Sequence, residues 1–297
     1  MKSKGKYPGK TQEERKKELT ELEDLLEKGV EKAMDTGSYR MLLDTAARFH
    51  RYSVNNMLLI FMQKPDASFV AGFKTWQKLG RHISKGEQAL KVFAPAFRKI
   101  MVNVEKTDEQ TGEKTVEKVE KTLELYKAVS VFDVSQTEGE DIKGLTGTTL
   151  RGDVEEYERM IDALCASTDA KVTFGEVTGL ARGYYDPVNH FIRIKDGMPK
   201  LQTVKTLAHE IAHSVLHRVE TGMERGQKEL EAESVAFIFC RHFGLDTEDA
   251  CFDYIAGWAE ENGTEKLRKS LARIHETASA LIEDTEKAFC SGEEMSA

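Results

Sequence analysis

Apolar residues recur at three- and four-residue steps over residues 13–35, where Leu19, Leu22, Leu25, Leu26 and Val30 are separated by charges. That spacing predicts an amphipathic helix. A second helical pattern runs from about Tyr39 to Met62, free of Gly and Pro until Pro65 ends it. From residue 69 the pattern changes to short apolar runs punctuated by Gly72, Gly80 and Gly86. Leu90–Ala94, Val102–Val104, Val116–Val119 and Leu123–Phe132 read as strands, with the charged stretch 105–121 as a solvated hairpin around Thr111-Gly112. Residues 135–152 are polar and Gly-rich and divide the chain. A helix is expected over about 153–167, then strands at 171–174 and 190–195 joined through turn chemistry at Asp186-Pro187 and Val188-Asn189. Helices follow at 200–218, 227–243, 248–261 and 264–289. The class is therefore α+β. A basic leader (1–12) precedes an N-terminal α+β module (13–138), a linker (139–152) and a mostly helical domain with a small sheet (153–290).

With 297 residues the chain suits two domains. No apolar run approaches the roughly 18 residues of a membrane span, and the basic N-terminus lacks the apolar core of a signal peptide. Four cysteines without a C-x-x-C fit reduced thiols, which points to the cytoplasm. The net charge of −8 hides an asymmetry: residues 1–100 hold 20 Lys and Arg against 12 Asp and Glu. An acidic protein with a basic first third suggests one module for a polyanion and another with a different task.

The sharpest chemical signal is His209-Glu210-Ile211-Ala212-His213. On a helix, His209 and His213 face the same way and can converge on one Zn²⁺. Glu210, on an adjacent part of that surface, is placed to take a proton from a water acidified by the ion. Val204, Leu207, Ala208, Ile211 and Val215 form the apolar stripe expected to face the core. A third ligand is sought on the next helix, among Glu229, Glu231 and Glu233. Glu229 and Glu233 share a face, whereas Glu231 points elsewhere. Their spacing resembles the gluzincin arrangement, so Glu229 is read as ligand and Glu233 as the acid that orients a histidine; exchange of those roles is the alternative. His217 continues the row but lies too far along the helix to share the ion, and is read as structural or as supporting the ligands. Residues 188–195 alternate like an exposed-edge strand, suited to pairing with an extended peptide. Tyr184 or Tyr185 is a weaker candidate for stabilising an oxyanion.

Residues 39–100 interleave nine aromatics with cations. Cations track phosphates and aromatic faces stack on unpaired bases, so single-stranded nucleic acid is the favoured partner. The candidate contacts are Arg51, Tyr52, Asn56, Phe73, Lys74, Trp76, Lys78, Arg81 and Lys85. Most aromatics of so small a module must also build its core.

Tyr52-Ser53-x-x-Asn56, Gln63-x-Pro65-x-Ala67, Val70-Ala71-Gly72-Phe73-x-x-Trp76, Gly80-Arg81, Lys85-Gly86-Glu87, Ala94-Pro95 and Val131-Phe132-Asp133-x-Ser135-Gln136-Thr137 together resemble the N-terminal domain of the ArdC antirestriction family. His209-Glu210-x-x-His213-x-x-x-His217, Glu229-Leu230-x-Ala232-Glu233 and Tyr254-Ile255-Ala256-x-Trp258 are similar to the zincin-like domain of the same proteins, and more distantly to ImmA/IrrE-type and SPRT-type proteases. The resemblance implies a bacterial, mobile-element-associated cytoplasmic protein that binds single-stranded DNA and protects incoming DNA from restriction during conjugation. The combined expectation is a DNA-associated metallopeptidase with one Zn²⁺ per chain and an unidentified protein substrate. The rival is a DNA-coating protein whose metal site is structural or vestigial. A metal-dependent nuclease is a third reading, disfavoured because such enzymes use carboxylate-rich two-metal clamps.

Overall fold

The computed structural model describes residues 10–107, 114–142, 154–219, 222–245, 252 and 255–294. Expectations for the leader up to residue 9, for linker residues 143–152, for the hairpin tip 108–113, for residues 248–251 and for Tyr254 lie outside the described residues.

Helix α1 (Gln12–Lys32) starts at a reciprocal capping box between Thr11 and Glu14. The single helix expected over about Tyr39–Met62 is two: α2 (Thr36–Arg48), capped by Asp35, and α3 (Val54–Gln63), capped by Ser53. The apolar spacing carries across residues 49–53, but Ser53 turns its hydroxyl to the Asn56 N–H and restarts the chain in a new direction.

β1 (Val70–Ala71), α4 (Phe73–Lys78) and β2 (Arg81–Ile83) lead into two long strands, β3 (Leu90–Thr107) and β4 (Lys114–Asp133). A 3-10 turn (Val134–Gln136) and β5 (Thr137–Gly139) follow. The strand runs expected separately are one continuous antiparallel ribbon, with Leu90 opposite Val131 and Thr107 opposite Lys114. β1 pairs with β4, and β2 with β5.

Two side-chain amides of α3 close the free edge of β3. Asn56 accepts from the Phe93 N–H and donates to the Phe93 carbonyl; Gln63 does the same with Lys91. The amides stand seven residues apart on one helix face and meet alternate strand residues, so they stand in for a neighbouring strand. Asp133 is buried and accepts from the Ser68 and Phe69 N–H groups and from Ser135.

Trp76 is fully buried, packs edge-on against Phe69, and donates from Nε1 to the Phe132 carbonyl at 3.0 Å. It is a core residue and not a base-stacking platform. Trp76→Ala is expected to cost about 3–5 kcal/mol of stability, measured by denaturant unfolding. Wild-type stability combined with weakened nucleic-acid binding would return Trp76 to the surface role.

The second half comprises α5 (Val154–Ala166), β6 (Lys171–Gly175), β7 (Gly183–Asp186), β8 (Phe191–Lys195), α6 (Lys200–Leu216), α7 (Arg225–His242) and α8 (Ile255–Glu294). α8 is two helical segments meeting at Gly263, whose φ of 77° only glycine adopts freely. The sheet order is β6-β8-β7, with β8 parallel to β6 and antiparallel to β7. The strand expected at an edge, β8, is therefore central, and β6 and β7 are the edges. Alternation of Ile192 and Ile194 with Phe191, Arg193 and Lys195 reports one buried face; it carries no information on which strand ends the sheet.

α6 buries Val204, Leu207, Ala208, Ile211 and Ala212, while Val215 at its last turn is exposed, contrary to the expected stripe. α7 packs against α6, α8 and α2, which explains why so many of its residues are apolar and buried. The Tyr39 hydroxyl meets Ser234 at 2.7 Å across the α2–α7 contact. One apolar cluster runs from Leu22 to Phe289 through both halves of the chain.

Candidate metal centre and nucleic-acid surface

On α6, His209 and His213 stand one turn apart with their Nε2 atoms 3.1 Å from each other. Glu229 of α7 brings a carboxylate oxygen to 3.5 Å from His209 Nε2 and 3.8 Å from His213 Nε2. Donors around one tetrahedral ion at about 2.0–2.1 Å lie about 3.3 Å apart, so these three edges fit a single divalent ion. Glu233, one turn further along α7, faces the other nitrogen of His209, Nδ1, at 3.3 Å. Burial disfavours the His209 imidazolium, but hydrogen bonds to Glu229 and Glu233 outweigh it and raise the pKa to about 9. The same contacts from His209 and His213 hold the Glu229 carboxyl well below the usual carboxylate range. Burial lowers the pKa of His213, which leaves it a neutral donor.

Glu210 is buried beside this trio, and desolvation pushes its pKa up to about 7 against the opposing pull of the His209 charge and, less, of the Tyr185 N–H. That N–H belongs to β7, so the edge strand turns part of its backbone toward Glu210. A cleft of about 400 Å³ opens here, lined by Leu180, Arg182, Gly183, Thr206, His209, Glu210, Glu233 and Phe237, among others. Neither tyrosine singled out for an oxyanion role is aimed at the trio: the Tyr185 phenol bonds His190 Nδ1 at 2.9 Å, and Tyr184 stacks edge-on against Phe191.

His217, read from the sequence as structural or as supporting the ligands, stands behind the trio; sequence spacing did not reveal its own partner, Glu231. His213 Nδ1 meets His217 Nδ1 at 2.8 Å, and His217 Nε2 meets Glu231 at 3.2 Å. Glu231 is fully buried and also accepts from Ser270 at 2.7 Å and Gln227 at 3.2 Å, with Arg273 at 3.4 Å. With His213 Nε2 turned to the trio, the proton pattern is fixed. His213 Nδ1–H donates to His217, whose Nε2–H donates to Glu231. Burial of Glu231 is outweighed by these partners, and its pKa falls below the usual value.

Residues 12–132 match the family described as the N-terminal domain of anti-restriction factor ArdC, and residues 169–250 match the IrrE N-terminal-like domain, a peptidase family. The second interval contains every residue of the trio together with Glu210, Glu231 and Glu233. The chain thus carries an ArdC-like N-terminal domain and an IrrE-like second domain.

An uncharacterized protein of Bacillus anthracis is 33% identical over 322 aligned positions, covering 96% of this chain and 54% of the relative; the chain thus spans about half the relative's length. The metal-free crystal structure of the antirestriction ArdC protein from the R388 plasmid is 22% identical, with a TM-score of 0.49, covering 80% of this chain and 86% of that one. Its Mn(II)-bound structure is 20% identical, with a TM-score of 0.48, covering 79% and 85%. Among the described residues no helix is long and apolar enough to cross a membrane.

The candidate DNA contacts in the N-terminal half separate into two groups. Asn56 spends its amide on β3, and Arg81 binds Thr137 and the carbonyls of β5 and Glu140. Tyr52 is half-buried with its hydroxyl on the Val70 carbonyl, and Arg51 pairs with Glu286 at 2.9 Å. Asn56, Arg81 and Tyr52, with Trp76, are taken up by contacts within the fold, whereas the Arg51 side chain stays largely exposed. Phe73, Lys74, Lys78 and Lys85 are exposed. The ribbon adds aromatics missed earlier: Phe97 is 69% exposed and Tyr126 59%. They lie on one face, because Pro95 opposes Tyr126 and Phe97 is two residues further along β3. Phe93, on the same face, contacts Tyr126 edge-on. The signal was the run of strand residues with two aromatics on one face, Phe93 and Phe97 four residues apart, which reads as core until the strand is seen to project beyond it.

Proposed function

We propose that this ArdC-like chain is a metal-dependent peptidase that acts at single-stranded DNA, with antirestriction as its biological setting and the cytoplasm as its location. The observation that carries the proposal is the convergence of His209, His213 and Glu229 at tetrahedral spacing beside a buried carboxylate in an open cleft. His209, His213 and Glu229 would hold one ion, with Zn²⁺ the expected metal for two imidazoles and one carboxylate. Such an ion supplies Lewis acidity and lowers the pKa of water it binds. Glu210 accepts the proton of the attacking water and delivers it to the leaving amine. Glu233 and the His217–Glu231 pair orient the two histidines from behind. An extended peptide lies along the free edge of β7, taking backbone hydrogen bonds from the strand that also touches Glu210. Hydrolysis of an unstructured protein such as casein, assayed with and without single-stranded DNA and with a chelator, tests the reading. Cleavage that the chelator abolishes is the expected result. No cleavage in any condition would favour the DNA-coating alternative.

Phe73, Phe97 and Tyr126, set among Lys74, Lys78 and Lys85 and the ribbon's own lysines, are the proposed stacking surface for single-stranded DNA. Binding is expected to weaken steeply with salt, because phosphate contacts release counterions. Phe97→Ala is expected to cost about 1–3 kcal/mol of binding with unchanged stability. A flat salt response, or full affinity in that variant, would show that the ribbon face is not the DNA surface.

A further inference from the structure

A second constellation of metal-ligating side chains lies away from the HExxH cleft. His50 follows α2, His242 ends α7 and Glu286 lies on α8; one donor atom from each falls within 4.8 Å of the other two. His242 is nine residues beyond Glu233 on the same helix, about 14 Å along its axis, so the two constellations are separate.

His50 is the informative member. It is buried, both ring nitrogens are inaccessible, and neither has a hydrogen-bond partner among the described residues. A buried imidazole with two unmet nitrogens is costly unless something fills the place of the partner. Its ring stands edge-on to His242 with centroids 4.5 Å apart. His242 is already oriented as metal-ligating histidines are. Its Nδ1 lies 3.1 Å from the Ala47 carbonyl, to which it donates, and its Nε2 lies 2.9 Å from Glu286. Arg51 bonds the other oxygen of Glu286 and fixes that carboxylate. The ring of His50 therefore faces an imidazole and a carboxylate that are both held from behind.

We propose that His50, His242 and Glu286 bind a second divalent transition-metal ion that clips the N-terminal helices to α7 and α8. Two imidazoles and one carboxylate suit zinc, with water completing the shell. Donors on one tetrahedral ion lie about 3.3 Å apart, so binding brings His50 closer to the other two, now within 4.8 Å, and opens the 2.9 Å His242–Glu286 contact by a few tenths of an ångström. The Arg51 charge on Glu286 makes this the weaker of the two metal sites.

The test uses the whole 297-residue chain with the first site removed, His209→Ala/His213→Ala, loaded with Co²⁺, dialysed, and assayed for metal and for the visible absorption of bound cobalt. About one cobalt per chain is expected. Binding should weaken at least about tenfold on adding either His50→Gln or Glu286→Gln. Two separate variants are used so that loss of folding in one, checked by circular dichroism, leaves the other to decide. Absence of bound cobalt in the folded double variant, or cobalt retained at full strength in a folded His50→Gln or Glu286→Gln derivative, would overturn the proposal. Because His209 and His213 are absent, this result is independent of whether the HExxH trio holds metal.

Discussion

Replacing Glu210 with Gln is expected to lower peptide hydrolysis by about 10²–10⁴-fold. The substitution preserves volume, and the amide oxygen still accepts the Tyr185 N–H that the carboxylate accepts in the native chain. The side chain loses only its capacity to take a proton. Desolvation raises the Glu210 pKa to about 7, which suits a group that must both accept and release a proton near neutral pH. Metal content and single-stranded DNA affinity should stay at the native level, since neither the trio nor the ribbon is altered. Initial rates on casein, measured beside metal analysis of the same preparation, give the comparison. Native rates in a metal-replete Glu210→Gln protein would remove Glu210 as the base.

The second large effect is expected at Glu231, a residue with no contact to the trio. Glu231→Ala removes a fully buried carboxylate that satisfies His217, Ser270, Gln227 and Arg273 together. Breaking a buried ionic network at one member costs about 3–5 kcal/mol, because the buried donors of His217, Ser270 and Gln227 lose their acceptor. The loss also frees His217, and with it the proton arrangement that presents His213 Nε2 to the metal. Metal affinity should therefore fall about 10–100-fold even in protein that remains folded. Glu231→Gln keeps the shape and one acceptor, and should recover part of the stability but less of the affinity. The pH response has a definite sign. The folded-state pKa of Glu231 lies below its ordinary value of 4.5, so its contribution is complete above that value and disappears as the pH falls through the depressed one. Urea unfolding of the native and Glu231→Ala proteins at neutral pH gives the size of the effect. Equal midpoints would show that the buried network is energetically idle.

The contrast between Glu210 and Glu231 shows what the sequence makes legible. His209, Glu210 and His213 are readable because the helical period alone puts the histidines on one face, whatever the tertiary fold. Glu229 and Glu233 are readable by the same period on the next helix. Glu231 faces the opposite way, as its position predicts, but apart from Gln227 one turn earlier its partners come from α8 and from His217, and no local pattern links residues 231, 270 and 273. The N-terminal motifs illustrate the converse. Asn56, Trp76, Arg81 and Asp133 form a recognisable signature, yet each is occupied in joining α3, α4 or a turn to the strands. A polar or aromatic residue beside lysines reads as a DNA contact until the carbonyl it bonds is known. The ribbon is the reverse case. Phe97 and Tyr126 look like core residues in an alternating strand, and become surface only because β3 and β4 extend past the body they pack on. The edge strand escaped detection for a related reason: β7 is only four residues long, Gly183–Asp186, and is flanked by turn signals.

The most direct measurement of the metal-centre assignment is the metal content of the native chain and of His213→Ala, both purified without chelator or nickel resin. The difference between them should be one divalent ion per chain, because His213 is shared by the trio and the histidine–glutamate pair behind it. Equal metal content in the two proteins would contradict a metal centre on His209, His213 and Glu229.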